Sequence, residues 1–562
     1  MKKRILALLL IGVMMTAVML SGCSSKESTG DSSSEASNGN APEQVVNTLF
    51  VADPVSFDSA KINESAANTV VLETQEGLVR LGENMKLMPA GATSWETSAD
   101  GTVWTFHLRD YNWSDGTKVT ASDYVYAIKR MFDPATACPN APIFYCIDGG
   151  EAFNTGNGTA DGIGAKALDE STLEITLNKP IPYFVQLTNF ISLLPQKEEV
   201  VTKAGETYGS EPSEMLFSGP FKVDQWVKGS QIVLVKNENY WDADSVKLDK
   251  VVINIVPEKA TAEQMFDSNA LDMILDVKSE YADKMASVVK DGKITELKGY
   301  YPRCGYIAFN NEDPNNFFTN KKIRLAFSLA IDREGYTKNV VKKDIPAYGF
   351  VPYGLNNGDT LYRDKVEEPL LSVLGDDPKA LYQEGLTELG LDPNQTYEVT
   401  FLQSNASSTN RVIGEYYQDQ WQKKLGVNVK IDVASDSATF NQMVHKAEYQ
   451  ICQTGWGADY DDPMTFLELF LTNVGDGASN NSIFFSNAEY DELIKAASVE
   501  TDMDKRFEMF KRAETILVAE EAGLAPLSYS LKINYVRSDL KGVLFQAGGP
   551  EFELKNAYIE GK

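Results

Sequence analysis

The sequence predicts an α/β protein in which strands and helices mix along most of the chain. Val103–Leu108 alternates apolar and polar side chains as a half-buried strand does, whereas the apolar residues of Ile323–Ile331 recur at helical spacing. About 518 of the 562 residues follow a leader and a polar segment, and that length suits two or three lobes better than one domain. The mixture of both element types favours α/β lobes.

The amino terminus has the layout of a bacterial signal peptide, which we assign to residues 1–22. Lys2, Lys3 and Arg4 form a positive region, and Ile5–Leu20 is almost entirely apolar. The apolar run is about 16 residues long, whereas a membrane-spanning helix needs about 20, so an ordinary membrane anchor is the weaker alternative.

The Leu-Ser-Gly-Cys sequence of residues 20–23 resembles a bacterial lipobox. The resemblance implies that Cys23 carries a thioether-linked diacylglycerol and becomes the first residue of the mature protein. Two acyl chains hold a protein stably on a membrane. Residues 23–44 are then a lipid-anchored flexible tether, because their polar composition buries too little apolar surface to fold.

The elements of the mature chain follow from periodicity and from capping residues. Thr120 begins a helix with Asp123 three residues on as a capping box, and Gly426 ends a later helix. The predicted strands are Thr48–Val51, Val103–Leu108, Leu173–Leu177, Gln231–Val235, Val251–Val256 and Val427–Val433. The predicted helices contain Val125–Phe132, Ile323–Ile331, Ile413–Trp421, Met464–Leu471 and Phe507–Leu517.

The composition argues against several classes of function. The formal net charge is −28 and no basic patch occurs, so we expect no nucleic-acid partner. His107 and His445 are the only histidines and no Cys-x-x-Cys pair is present, so we expect no metal site and no cofactor. Four of the cysteines either form disulfides, with the pairs Cys138–Cys146 and Cys304–Cys452, or remain free thiols. The sequence leaves both alternatives open.

The segment from Gly455 to Pro463 is the strongest candidate for a binding site. The Gly-Trp-Gly sequence at its start lets another backbone come close. Asp462, directly before the proline, has the position of a helix N-cap. Asp459 has no such structural role. The residues alone leave four interpretations of Asp459 open: a ligand contact, a solvated turn acid, a second helix cap, or part of a calcium-binding cluster. The spacing of the acids is not that of a calcium loop.

Two other classes of function compete with a binding receptor. A secreted hydrolase could use paired carboxylates, but the sequence has no GxSxG, HExxH, P-loop or Cys/His arrangement. A surface peptide sensor or adhesin without transport would share the same anchor and binding fold. We therefore expect that the protein is not an enzyme.

Six motifs follow one another between about Asn47 and the carboxyl terminus. They are Trp104–Arg109, Trp113–Thr117, Ser218–Phe221, Asn237–Trp241, Ile323–Arg333 and Gly455–Pro463. In this order, and together with the lipobox, they resemble the oligopeptide-binding proteins of ABC importers, which are extracellular solute-binding proteins of family 5.

The resemblance implies an α/β, periplasmic-binding-protein-like fold of type II, with two hinged lobes and an added subdomain. The implied ligand is an oligopeptide, captured on the extracellular side of the cell membrane and delivered to the transmembrane subunits of an ABC permease. We expect a monomer. The expected boundaries are 45–64, 191–303 and 530–562 for the first lobe, 65–190 for the added subdomain and 304–529 for the second lobe.

The resemblance also implies which residues contact the peptide. An aspartate in the family's Gly-Trp-x-Ala-Asp segment pairs with the free α-amine of the peptide, and it matches Asp459. Gly455, Trp456 and Gly457 offer backbone hydrogen bonds and a stacking wall. The further expected contacts are Asn63, Asn310 and Tyr529.

The chain departs from the family at three positions of this site. Val444 and Gln453 stand where some members place arginines that meet the peptide's carboxyl terminus, so the preferred peptide length is open. Gly457 stands where some members have a cysteine, so their disulfide is not carried over. Because some relatives bind nickel, haem or sugars, a receptor of the same fold for a non-peptide ligand is a further alternative.

We predict that Cys23→Ala abolishes both lipidation and cleavage at this site, because the thioether requires the cysteine sulfur. Labelling of cells with a tagged fatty acid, followed by detergent-phase partitioning, measures the change. Wild-type protein and a Cys138→Ala control should both take up the label. Equal labelling of Cys23→Ala protein would contradict the assignment.

Overall fold

The computed structural model describes residues 43–82, 85–313, 315–472, 481–545 and 550–561. The predicted signal peptide, Cys23 and all but the last two residues of the predicted tether lie outside the described residues. Within the described ranges, every helix is too short or too polar to cross a lipid bilayer.

Two long antiparallel strands, Ile294–Phe309 and Leu524–Arg537, form the middle of a seven-stranded sheet. Their register shifts twice. The larger shift, called the register break below, lies where Tyr300 pairs with Leu531 and Cys304 pairs with Tyr529, so that residues 301–303 stand opposite a single residue. A smaller shift follows between Gly305 and Tyr306. An irregularity of this kind bends a strand and increases its twist. The other strands of the sheet are Met273–Ile274, Ile345–Pro346, Glu398–Gln403, Asn428–Val433 and Ile451–Gly457.

A second sheet is built from the amino-terminal part of the chain and residues 221–255. Val45–Phe50 runs parallel to Lys250–Ile255, which continues antiparallel to Gln231–Lys236 and then to Phe221–Val227. Its apolar side chains form one buried cluster with residues from the carboxyl-terminal segment, such as Phe552 and Leu554. The two ends of the chain therefore share a core.

A third sheet lies within the region assigned to the added subdomain. It is antiparallel, and its strands are Ala92–Thr97, Val103–Leu108, Thr172–Thr176 and Ala165–Asp169 in spatial order. The helix Ala121–Phe132 packs on it, and the Asp123 carboxylate accepts a hydrogen bond from the Thr120 amide at 2.7 Å. The predicted capping box is confirmed.

The α-helices alternate with these strands along the chain. They are Ser65–Thr74, Ala121–Phe132, Gly150–Asn154, Phe184–Leu187, Glu198–Ala204, Lys259–Asp267, Ser279–Lys290, Lys321–Leu329, Arg333–Tyr336, Tyr362–Lys365, Pro378–Glu388, Ser408–Leu425, Ser437–His445, Met464–Leu467, Ala488–Ala497 and Met503–Thr515. Short strand pairs join Val79–Leu81 to Leu87–Pro89, Asn356–Asn357 to Thr360–Leu361, and Leu540–Lys541 to Tyr558–Ile559.

The region of residues 65–190 packs against the segment that follows the strand Ile451–Gly457. The rings of Tyr183 and Tyr460 stack in parallel with their centroids 5.1 Å apart. The guanidinium of Arg506 lies 5.2 Å from the centre of the Tyr183 ring. The candidate segment is thus fixed by contacts with two other parts of the chain.

The α/β class and the predicted elements are confirmed, with shifts of a few residues at most ends. Val103–Leu108 is a strand at the predicted bounds, and the helix predicted to end at Gly426 does so, with this glycine at φ 81°. The helix predicted over Met464–Leu471 is regular only to Leu467 and continues as a tighter turn to Phe470. The predicted lobe boundaries at 303/304 and 529/530 coincide with the register break, and the division into lobes stays a prediction.

The four cysteines of the described residues are free thiols in this structure. Cys304 pairs with Trp456 across the central sheet and Cys452 pairs with Ala308, so these two cysteines are not neighbours in register. Burial raises the pKa of both thiols well above the ordinary value. Neither of the two disulfides left open by the sequence is formed.

Candidate functional site

A cavity of about 360 Å³ opens where residues from the range 63–191 face the end of the strand Ile451–Gly457. The wall formed by this range mixes polar side chains, such as Asn63 and Asn68, with apolar ones, such as Leu72 and Ile143. The opposite wall is formed by the register break and by the segment after the strand. Side chains or backbone from these walls include Asn63, Asn68, Asn140, Tyr301, Pro302, Ala458, Asp459, Tyr460 and Asp461.

The strand that leads into the cavity is paired along its full length on one edge but only at its start on the other. Residues 451–457 pair antiparallel with residues 303–309, with Gly455 opposite Gly305. On the other edge, the parallel strand Glu398–Gln403 pairs only with Ile451 and Cys452. Residues 453–457 therefore have no strand partner on this edge among the described residues. Unpaired backbone groups on a strand edge form a template for another extended chain.

The segment turns into the cavity directly after this open edge. The Ala458 amide donates a hydrogen bond of 2.8 Å to the carbonyl oxygen of Pro302, which continues the pairing by one residue. The next residue, Asp459, donates its backbone amide to the Thr465 hydroxyl at 3.1 Å. These two bonds fix the backbone on both sides of the Asp459 side chain.

The Asp459 carboxylate accepts no hydrogen bond and forms no ion pair within the part of the chain that the structure describes. It is accessible to solvent in the cavity. The surrounding protein atoms remove part of its hydration, and this partial burial raises the pKa of Asp459 above the ordinary value. An uncompensated carboxylate in a cavity is suited to hold a cationic group.

The other two aspartates have protein partners. Asp462 is buried, accepts a hydrogen bond from the Met464 amide at 2.9 Å and pairs with Arg506 through contacts of 2.5 Å and 2.8 Å. The hydrogen bond expected of a capping Asp462 is present, although the helix begins at Met464 and Pro463 occupies the N-cap position. The ion pair was missed because Arg506 is 44 residues away in sequence. Asp461 accepts hydrogen bonds from the backbone amide and the side-chain amide of Asn356, both at 2.8 Å.

The two glycines of the strand have different surroundings, and only Gly457 borders open space. A Cβ atom at Gly457 would have no neighbour nearer than the Pro302 carbonyl oxygen at 3.9 Å. A Cβ atom at Gly455 would stand 2.8 Å from Nη2 of Arg303. Trp456, between them, is half-buried and its indole N–H has no hydrogen-bond partner among the described residues.

Of the three remaining residues that we expected to contact the ligand, one lines the cavity and two are buried in the fold. Asn63 is exposed and lines the cavity. Asn310 is fully buried, and its side-chain amide donates to the carbonyl oxygens of Ala447 and Tyr449. Tyr529 is also fully buried, and its hydroxyl donates to the carbonyl oxygen of Gly349 at 2.9 Å. Asn63 and Asp459 therefore line the same cavity, whereas the side chains of Asn310 and Tyr529 form structural hydrogen bonds elsewhere.

Several cavity residues were missed by sequence reasoning. Tyr301 and Pro302 lie in the register break, and Asn140 lies in a turn of the subdomain. No motif includes Tyr301 or Pro302, and the only local signal was a proline inside a strand-like run, which indicates an irregularity. No group of three or more potential metal ligands occurs among the described residues.

Comparisons with known proteins identify the class to which this α/β protein and its cavity belong. The family model described as "bacterial extracellular solute-binding proteins, family 5 middle" matches residues 86–478. The chain therefore belongs to this family. Its fold is periplasmic-binding-protein-like, and the protein is a binding protein and not an enzyme.

Individual relatives match almost the whole chain. The oligopeptide-binding protein OppA of Bacillus subtilis is 32% identical over 94% of this chain and 95% of its own. The unliganded open form of the murein tripeptide binding protein MppA covers 92% of this chain and 98% of its own, with 28% identity and a TM-score of 0.78. Listeria monocytogenes OppA bound to peptide covers 92% and 99%, with 32% identity and a TM-score of 0.67.

We predict that the folded state loses stability as the pH rises from 5 to 8. Burial raises the pKa of Asp461 to about 7 and that of Glu73 to about 8, whereas unfolded carboxyl groups titrate near pH 4. Between these values the folded protein keeps protons that the unfolded chain releases, so deprotonation opposes folding. Thermal unfolding followed by circular dichroism between pH 5 and pH 8 measures the trend.

Burial also raises the pKa of Glu468 to about 7. The matched variant for this prediction is Asp461→Asn, which removes one of these titrating groups and keeps its shape. Its melting temperature should depend less on pH than that of the wild type. Acids whose pKa is lowered, such as Asp100 and Asp169, titrate below this range and do not interfere. A melting temperature that rises from pH 5 to pH 8 would show that these carboxyls are not protonated in the folded protein.

Proposed function

We propose that this protein is a membrane-anchored extracellular receptor that captures oligopeptides and delivers them to an ABC permease. The observation that carries the proposal is the open strand edge of residues 453–457, which ends at the unpaired carboxylate of Asp459. An oligopeptide offers the two complementary features, an extended backbone and a terminal ammonium group. The peptide-binding relatives support the same class of ligand.

The peptide backbone adds to the strand edge. Main-chain hydrogen bonds to residues 453–457 do not depend on the peptide's side chains, so many sequences can bind. Gly457 leaves open space above the strand in which a peptide side chain fits. The polar cavity wall formed by Asn63, Asn68 and Asn140 tolerates varied side chains through water-mediated contacts.

The ammonium group of the peptide pairs with Asp459. When the cleft closes, this group loses water and needs a fixed negative partner. The alternative partner in the cavity, Asp461, is already bonded to Asn356, and Asp462 is already paired with Arg506. Asp459 is therefore the carboxylate of this segment that remains for the ligand.

The proposed receptor has a lipid anchor, an ABC permease as its partner and a hinge between its lobes. Cys23 attaches the receptor to the cell membrane by lipid, and the tether lets the receptor act as a monomer above the permease. The register break between the two long strands serves as the hinge. The strand pairs before the break and the strand pairs after it form two different halves of the seven-stranded sheet. The similarity to an unliganded open form supports a cleft that is open before the peptide binds.

We predict that Asp459→Asn and acetylation of the peptide's amino terminus weaken binding by the same mechanism. Removal of one partner of a desolvated charge pair costs roughly 2–5 kcal/mol, which is a loss of about 30-fold to several thousand-fold in affinity. Acetylation should weaken binding to the wild type strongly and to Asp459→Asn much less. Calorimetry on the four combinations of protein and peptide measures this coupling.

Asp461→Asn is the matched control for this cycle, because it removes a neighbouring carboxylate that already has a protein partner. It should retain most of the affinity and the full acetylation effect. If the effects of Asp459→Asn and of acetylation simply add, the two groups do not meet, and Asp459 is not the amine site.

We predict that a saturating peptide makes the protein more compact and raises its melting temperature. A ligand that binds only the closed form shifts the population toward it and stabilises the folded state. Small-angle X-ray scattering with and without peptide gives the radius of gyration. The acetylated peptide at the same concentration is the control. An unchanged radius at proven saturation would exclude a closing hinge.

A further inference from the structure

Segments of both predicted lobes meet beside the register break, on the side of the central sheet opposite the strand Ile451–Gly457. One edge of the long strand Leu524–Arg537 is paired with Ile294–Phe309. The short strands Met273–Ile274 and Ile345–Pro346 both pair with its other edge, called the outer edge below. The first short strand belongs to the predicted first lobe and the second to the predicted second lobe.

Two ion pairs connect these segments along the outer edge. The ammonium group of Lys343 lies 2.8 Å from Oδ1 of Asp276. The ammonium group of Lys342 lies 3.3 Å from Oε1 of Glu280. Both lysines precede the short strand of the second lobe, and both acids follow the short strand of the first lobe. The ion pairs therefore join one predicted lobe to the other.

The segments that carry the ion pairs are attached to the long strand on opposite sides of the break. The backbone amide of Asp276 donates a hydrogen bond of 2.9 Å to the side-chain oxygen of Asn534. The carboxylate of Asp344, directly after Lys343, accepts a hydrogen bond of 3.1 Å from the Ser528 hydroxyl. Ser528 precedes the break and Asn534 follows it. A rotation at the break therefore changes the distance between Lys343 and Asp276.

The ligand cavity adjoins the other side of the same strand pair. It is lined by Tyr301 and Pro302 in the break and by Ala458 and Asp459 after the strand Ile451–Gly457. When two bodies rotate about a hinge, an approach on one side of the hinge is a separation on the other side. Closure of the cavity therefore lengthens the two ion pairs. They are formed in this structure, which has a TM-score of 0.78 to an unliganded open form.

We infer that Lys342 and Lys343 hold the lobes apart and thereby lower the affinity for peptide from outside the cavity. The inference rests on the proposed function, because a peptide must close the cleft. A ligand that binds only the closed form has to supply the free energy that separates the ion pairs. Its apparent affinity falls with the fraction of protein that is closed beforehand. Neither lysine lines the cavity, so both act as positioning residues.

Both ion pairs can separate without leaving a buried charge unsatisfied. Asp276 has a second cation nearby, since the ammonium group of Lys259 in the same lobe lies 3.6 Å from its Oδ2. The side chains of Lys342 and Glu280 are 50% and 69% exposed, so water replaces their contact. Ion pairs of this kind contribute little each, which suits an equilibrium that a ligand must reverse.

Calorimetry with alanine peptides of two to eight residues tests the inference. The double variant Lys342→Gln/Lys343→Gln should bind the peptide preferred by the wild type about 2-fold to 10-fold more tightly, because the open form loses two exposed ion pairs. In about 1 M salt the difference between variant and wild type should shrink, since exposed charges are then screened. A cavity residue would instead weaken binding when it is replaced.

A charge exchange separates this role from a structural one. Lys342→Glu places two carboxylates together at the outer edge, and their repulsion should raise the affinity above that of Lys342→Gln. The added substitution Glu280→Lys restores an ion pair and should return the affinity to that of Lys342 and Glu280 in the wild type. Lys284→Gln is the matched control, because it removes an ion pair of 2.5 Å with Asp267 inside the first lobe and should leave the affinity unchanged.

The inference is wrong if Lys342→Gln/Lys343→Gln binds the peptide as the wild type does or more weakly, or if Glu280→Lys fails to reverse the effect of Lys342→Glu. Either result, obtained while peptides bind to the wild type, leaves the proposed function intact. If no alanine peptide of any length binds to the wild type, the oligopeptide receptor itself is in error, and the inference fails with it. Thermal unfolding of each variant verifies that it is folded.

Discussion

The antiparallel pairing of Ile294–Phe309 with Leu524–Arg537 is the constraint on which the rest of the structure depends. These strands contribute to the cores on both sides of the register break. Ile294 and Ile533 belong to a cluster with the amino-terminal sheet region, whereas Ile307 and Leu527 belong to a cluster with the helices Lys321–Leu329 and Ser408–Leu425. Because backbone hydrogen bonds must be satisfied on both sides, the break is confined to a few residues, and the cavity opens there.

The three aspartates after the strand carry the same carboxylate group but have different roles, because the residues around them differ. Asp462 is fully desolvated and bonded to Arg506, a pair whose separation would leave a buried charge. Asp461 is partly shielded and satisfied by Asn356. Asp459 keeps its carboxylate free because its backbone amide, and not its side chain, takes the local hydrogen bond to Thr465. A rigid support of this kind holds a binding group in place without consuming it.

The predicted ligand contacts differ in whether the fold already uses their polar groups. The backbone around Asp459 is held by hydrogen bonds, while its carboxylate lacks a partner among the described residues. The side chains of Asn310 and Tyr529 are buried and hydrogen-bonded to backbone carbonyl oxygens. Asp459 is therefore suited to a ligand, whereas Asn310 and Tyr529 stabilise the fold.

Local periodicity was sufficient for much of the fold. The strand Val103–Leu108 and the helix that ends at Gly426 were predictable because an alternation or a left-handed glycine has a meaning that no distant residue changes. Asp462 could be recognised as a capping residue for the same reason, since the group that it caps is two residues away. The sequence motifs also predicted the family, which the comparisons confirm, and the same resemblance singled out Asp459 as a ligand contact, which stays a prediction.

The tertiary structure alone decided which candidates share a cavity. Asn63 and Asp459 are almost 400 residues apart and line one cavity, whereas Asn310 is fully buried away from it. The sequence did not reveal Arg506 as the partner of Asp462, because Arg506 lies 44 residues away and in none of the motifs. A sequence states what each side chain can donate or accept. Only the folded chain determines whether another residue has already satisfied that capacity or whether it remains for a ligand.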